Sequence, residues 1–340
     1  MEHELTALRL GILAALAGCA DPSADWPVCG NEEELFAESY EGYESFDAAG
    51  GDVLVCGDLP ADGSDCPDYR EVNANEFFEA NVGSVTSERG DSGYLLRADC
   101  GPETTRADAC CYVIELEGFW QAGRPLVVNG RDTVAAVLAA PGWGPAAAGP
   151  LDPERATRWA AIARAEHASI AAFAYFTLEL LALGAPAELV AESTRAQADE
   201  VDHARRAFAL ASAFAGENLA PGPLNVSRSV GHPDPMAVAC ALAREGCVAE
   251  TASAAETALA IPHAITEAER ATLIQITIDE RRHAAFAWRA AQWLLGAFPE
   301  ARAPFAHALA EASARAESSG PSGARIVREV VNPCGAALLA

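Results

Sequence analysis

Two short stretches of this chain carry the same four-residue pattern. ADEVDHARRAF (198–208) contains Glu200 and His203, and TIDERRHAAFAW (277–288) contains Glu280 and His283. No other Glu-x-x-His occurs in the sequence. On a helix, residues three apart share a face, so each pair presents one carboxylate and one imidazole to the same neighbour. Carboxylate and imidazole together suit iron or manganese better than the thiolate-rich sets of structural zinc.

Two further carboxylates join them by periodicity. Trp159, Ala163, Glu166, Ile170, Phe173 and Leu180 recur at steps of three and four, which places Glu166 inside an apolar stripe. Ala243, Cys247, Glu250, Ser253 and Thr257 do the same for Glu250. A carboxylate on an apolar face is costly unless it is paired or bound to a cation. Four of them would repel one another in a low dielectric, and two cations resolve that repulsion. His167 points about 100° away from Glu166 and reads as surface, as do Glu192, Asp202, Glu245 and Glu256.

The elements that would position these side chains are legible from caps and breakers. Asp152 with Pro153 opens a helix that reaches Leu183 before Gly184. A second spans about 186–215 and stops at Gly216, and Asp234 with Pro235 opens a third that ends near Ala260. The capping box Thr266-x-x-Glu269 opens a fourth, running to Leu295-Gly296. A short fifth helix fills 300–316, and 317–340 is a tail. Residues 217–234 cannot form regular helix. As an extended connection they can run the length of helices about 40–48 Å long. The expected fold is therefore mainly α: a four-helix bundle of two hairpins joined by one long crossover.

The chain up to 150 differs in kind. Residues 20–150 hold 25 Asp and Glu against 6 Arg, so −19 of the net charge of −26 lies there. Such a field repels polyanions and excludes a nucleic-acid partner. SGYLLRADC (92–100), CCYVIELEGFW (110–120) and GRPLVVNG (123–130) read as strands. With Cys29, Cys56, Cys66, Cys100, Cys110 and Cys111 they suggest a small β-rich, disulfide-stapled module over 20–139. APGWGPAAAGP marks a linker at 140–151, and the helical part occupies 152–316. Cys240, Cys247 and Cys334 complete the disulfide candidates. Cys334 can staple to Cys240 or Cys247, whereas those two stand about 10 Å apart on one helix and cannot bond. No Cys-x-x-Cys is present.

The chain carries two resemblances. Leu16-Ala17-Gly18-Cys19 resembles a bacterial lipobox after the short apolar run 10–17, which implies a signal peptide over 1–19, lipidation at Cys19, and export with membrane attachment through acyl chains only. The leader departs from the pattern in carrying Arg9 as its only basic residue, and an ordinary N-terminal helix is the alternative reading. The second resemblance covers about 152–296: Glu166…Glu200-x-x-His203 followed by Glu250…Glu280-x-x-His283 resembles the ferritin-like di-iron carboxylate superfamily of ferritin, rubrerythrin and bacterial di-iron oxygenases. That family binds a metal pair through one Glu from each of two helices and Glu-x-x-His from the other two. It implies Glu166, Glu200, His203, Glu250, Glu280 and His283 as ligands of two iron ions, with manganese or a mixed pair as alternatives. The implied function is an oxidoreductase or ferroxidase that uses O₂ or peroxide, with an external electron donor. The alternatives are an iron-sequestering surface lipoprotein without turnover, or a structural lipoprotein whose bundle is a scaffold.

Overall fold

A computed structural model describes residues 2–16, 52–58, 94–103, 109–118, 123–128, 130–143, 149–227 and 231–340. They divide between two compact units, one made of 1–35, 120–314 and 326–340, the other of 36–119 and 315–325. In the second unit, β1 (Asp52–Asp58), β2 (Tyr94–Glu103) and β3 (Ala109–Gly118) form an antiparallel sheet in the order β1-β3-β2. Two of these strands were expected. β1 falls in a stretch too acidic and turn-rich to read as strand. Cys56 stands opposite Cys111 in the ladder; Cys19, Cys29 and Cys66 lie outside the described residues.

The first unit is mainly helical. Its long helices are α2 (Pro153–Leu183), α3 (Ala187–Ala215), the rod made of α4 (Pro235–Ala241), a π-helical segment (Leu242–Val248) and α5 (Ala249–Ala260), and α6 (Glu267–Ala297). Local chemistry sets their ends. Asp152 accepts from Arg155 N at 2.9 Å, with Pro153 in the first turn. Gly184 and Gly216 end α2 and α3 in the left-handed region, each at φ +74°, where a side chain would be strained. Thr266 Oγ1 accepts from Glu269 N at 3.1 Å. The Glu269 carboxylate in turn takes hydrogen bonds from Ile265 N, Trp159 Nε1 and Arg155 Nη1, tying the start of α6 to α2.

α2 packs on α3, α5 on α6, and α3 on α6. The core between them holds Trp159, Ala163, Ala207, Phe208, Ala211, Phe214, Leu273 and Ile276. Alanine at so many contact positions lets the helix backbones approach closely, so short side chains from different helices can meet.

Four features differ from the sequence expectations. The non-helical stretch after Gly216 contains β7 (Leu219–Pro221), which pairs with β6 (Val137–Ala139), while β4 (Val127–Val128) pairs with β5 (Arg131–Asp132). The third helix is not uniform, because 242–248 winds as a π turn. The tail is helical: α7 (Arg302–Glu317) is followed by α8 (Pro321–Ile326), a π segment (Val327–Val331) and α9 (Asn332–Leu339). Finally, α1 (Glu2–Leu16) packs against α5, α6 and α9. Leu5, Leu8, Ile12 and Ala15 recur on one face and are buried, and Gln292 Nε2 donates to Leu16 O at 2.8 Å. Among the described residues no helix is long and apolar enough to cross a membrane.

Candidate metal centre

All six residues singled out by spacing come together. Glu166 on α2, Glu200 and His203 on α3, Glu250 on α5, and Glu280 and His283 on α6 are buried, none more than 2% exposed. They form two overlapping sets whose potential ligand atoms lie within 4.8 Å of one another: Glu166, Glu200, His203 and Glu280, and Glu200, Glu250, Glu280 and His283. Glu200 and Glu280 belong to both sets, Glu166 only to the first and Glu250 only to the second. His203 Nδ1 stands 3.6 Å from Glu166 Oε2, 3.7 Å from Glu200 Oε2 and 3.5 Å from Glu280 Oε1. His283 Nδ1 stands 3.2, 3.8 and 3.4 Å from Glu200, Glu250 and Glu280.

The donor atoms themselves test whether cations fit. All eight carboxylate oxygens of the four glutamates, and Nδ1 of both histidines, are buried without a hydrogen-bond partner. The great majority of buried polar atoms in proteins are hydrogen-bonded, and leaving one unsatisfied is costly. Ten such atoms converging on one volume match what a pair of hard, divalent or trivalent cations requires.

The electrostatics of the cluster agree. Burial and the nearby Glu200 push Glu166 well above the usual carboxylate range. Burial and Glu280 do the same to Glu250. Glu200 moves the other way: burial works to raise it, but the imidazoles of His203 and His283 outweigh burial and hold it low. Burial opposes the charged form of both histidines, yet Asp279, Glu166 and Glu200 around His203, and Asp199, Glu200 and Glu280 around His283, raise them well above their ordinary value.

Sequence reading missed the residues that orient the imidazoles. His203 Nε2 pairs with Asp279 Oδ2 at 3.1 Å, and His283 Nε2 with Asp199 Oδ2 at 3.2 Å. Each aspartate immediately precedes the shared glutamate of the opposite motif, so each half of the site orients the other half's imidazole. With Nε2 turned outward to an aspartate, loss of the Nδ1 proton would leave a lone pair facing inward, the arrangement seen where a carboxylate fixes a metal-ligating histidine. Arg282 pairs with both Asp199 and Asp279. The repeated string Asp-Glu-x-x-His carried this signal in the sequence. Asp279→Asn should weaken the cation that His203 holds by ~10–100-fold while sparing the other, measured by cobalt titration. Equal weakening of both would contradict the crossed pairing.

The π segment was also unread. Gly246 lies within it, and a methyl there would stand 2.8 Å from Leu242 Cδ1 and 3.1 Å from Ala287 Cβ, so glycine allows α6 to approach. The extra residue of a π turn rotates the downstream side chains about the helix axis, and Glu250 lies two positions beyond its end. The expected stripe Ala243, Cys247, Glu250, Ser253 and Thr257 is buried throughout.

Other assignments need correction. Cys240, Cys247 and Cys334 are free thiols, not disulfide partners. Cys247 and Cys334 are buried, and burial pushes the Cys334 thiol up to about 12, so it packs as a neutral apolar group. Glu245 is buried and pairs with Arg124 at 4.0 Å instead of facing solvent. His167 stays outside the ligand set, its ring half-buried edge-on to Trp143 with centroids 5.0 Å apart.

Fold and site together define a class: a mainly helical protein with a buried carboxylate–histidine cluster able to hold metal. No protein-family model, curated protein or solved structure matches the chain.

Proposed function

We propose that this chain is a ferritin-like dimetal protein, its four long helices forming a bundle around two iron ions, with manganese or a mixed pair as the substitute. The observation that carries this reading is the pair of four-donor sets sharing Glu200 and Glu280. Bound iron would supply one-electron redox chemistry toward O₂ or peroxide, and the reaction class is an oxidoreductase or ferroxidase. The chain's own part is to hold the cations in a dry volume, keep each imidazole neutral at Nδ1 when metal is bound, and fix ring orientation through Asp199 and Asp279. Electrons would come from an external donor, since the sequence has no Cys-x-x-Cys.

Adding Fe(II) anaerobically and then O₂ or peroxide should produce a near-UV charge-transfer band, lost in Glu200→Ala. Continued oxidant consumption with an added reductant supports turnover. A single stoichiometric burst supports the second reading, iron sequestration without turnover, which the complete burial of all six ligands favours. Absence of any band in iron-loaded protein would exclude the oxidative reading.

The same proposal places the chain on the exported side of a membrane, anchored through Cys19, with the sequence Leu16-Ala17-Gly18-Cys19 as support. The packing of α1 sets a condition on it. Cleavage before Cys19 removes Leu5, Leu8, Ile12 and Ala15 from the helical unit. An anchored form therefore stands without α1, and membrane association that survives Cys19→Ala would count against the anchor.

A further inference from the structure

Residues Gly123–Val128 supply none of the six ligands, yet they lie directly against the centre. Gly123 N donates to Ser253 Oγ at 3.1 Å, and Ser169 Oγ donates to the Arg124 carbonyl at 2.8 Å. Both serines are fully buried. Each comes three residues after the candidate ligand of its helix, Ser169 after Glu166 and Ser253 after Glu250, so each shares that ligand's face. The backbone at 123–124 is thereby pinned to α2 and to α5, the two helices that contribute a glutamate and no histidine.

The rest of the strap is seated firmly. Leu126 and Val128 bury against Ala168 and Ala172 of α2. The Arg124 guanidinium lies 4.1 Å from the Phe176 ring centroid and 5.6 Å from that of Phe173, and pairs with Glu245 of the π segment. Phe173 in turn meets the His283 ring edge-on at 5.3 Å.

Gly123 is where the strap comes closest. A methyl group on its Cα would stand 2.6 Å from Ser169 Oγ, 3.1 Å from Glu166 Oε2 and 3.3 Å from Glu200 Oε2. Those two carboxylates belong to the first four-donor set, with His203 and Glu280. The Gly123 φ of +67° adds a second reason for glycine.

We propose that the Gly123–Val128 strap is the outer wall of the metal pair, with Gly123 as its specificity-determining residue. Its bare Cα keeps open the space beside Glu166 and Glu200 for a cation and one ligand the size of water, dioxygen or peroxide, and the strap shuts that flank to anything bulkier. The inference rests on the dimetal reading of the six ligands.

Gly130 provides the control. It lies two residues beyond the strap with φ +75°, but a methyl there would meet nothing within 4 Å. Gly130→Ala therefore imposes the backbone strain without the intrusion. The test loads chelator-stripped wild type, Gly123→Ala, Gly130→Ala and the Ser169→Ala/Ser253→Ala double variant with Co(II), counts bound cobalt, and times its release to EDTA, with circular dichroism reporting the fold. Wild type and Gly130→Ala should bind two Co(II). Gly123→Ala should bind one, having lost the first position. The double variant should bind two and release them about tenfold faster, its strap no longer pinned.

Two Co(II) in Gly123→Ala, equal losses in Gly123→Ala and Gly130→Ala, or wild-type release from the double variant would each overturn the proposal. A wild type that binds no Co(II) overturns the dimetal reading itself and the wall with it. A wild type that binds two, alongside a Gly123→Ala that also binds two, overturns the wall alone.

Discussion

Glu200→Ala and Glu280→Ala should each abolish binding of both cations, whereas Glu166→Ala and Glu250→Ala should each leave one bound. The asymmetry comes from sharing: Glu200 and Glu280 stand in both four-donor sets, Glu166 only in the first and Glu250 only in the second. Removing a shared carboxylate takes one donor from each position and also the charge that offsets cation–cation repulsion between them. The loss should exceed the ~10–100-fold that removal of an orienting partner costs. Removing Glu166 leaves Glu200, Glu250, Glu280 and His283 intact as a complete set. Metal counted per chain after equilibration with excess Co(II) distinguishes the two classes. Equal retention in all four variants would contradict the sharing of Glu200 and Glu280.

The second large effect is a pH-dependent stabilisation by metal. In the cation-free protein Glu166 and Glu250 titrate above the ordinary 4.5, and His203 and His283 above the ordinary 6.5. A group whose folded value is raised contributes stability that is fully present below its unfolded value and is lost as pH rises through the folded one. Metal-free stability should therefore decline from about pH 5 upward. Asp279 runs the opposite way: the His203 imidazole, with Gln275 and Arg282, overcomes burial and holds it at about 2, so its contribution is present above 3.8 and lost as pH falls toward 2. Cations must displace the protons on Glu166, Glu250, His203 and His283, so affinity rises with pH and binding releases protons.

At a hundredfold excess over Kd each site adds ~2.7 kcal/mol, and a unit of this size gains ~2–4 °C per kcal/mol. Thermal melts with and without Co(II) at pH 5.5 and pH 8 should show the larger gain at pH 8. A gain independent of pH would mean the cations bind elsewhere.

Much of the site was legible because its signals are local. Glu-x-x-His fixes a face within one turn, and the stripes around Glu166 and Glu250 fix the face of two further helices. Helix ends were legible for the same reason, since Asp152, Gly184, Gly216 and Thr266 act through their own backbone neighbours. The hidden features depend on contacts between distant residues. Asp199 and Asp279 look like ordinary solvated acids until α3 and α6 are side by side. Gly123 and Arg124 sit in a stretch that reads as the end of a strand module, and only the folded chain brings them to Ser253 and Ser169. The π turn holds Gly246, where α6 approaches through Ala287, and that contact is not visible along one helix. Glu245 was misread for a related reason: its partner, Arg124, lies 121 positions away in sequence.

Anomalous diffraction from crystals of the cobalt- or iron-loaded protein would show whether six side chains from four helices hold two cations. Two anomalous peaks per chain are expected, both between Glu200 and Glu280, one beside Glu166 and His203 and the other beside Glu250 and His283. A loaded crystal with no peak among these residues, or with peaks only elsewhere, would contradict the dimetal reading.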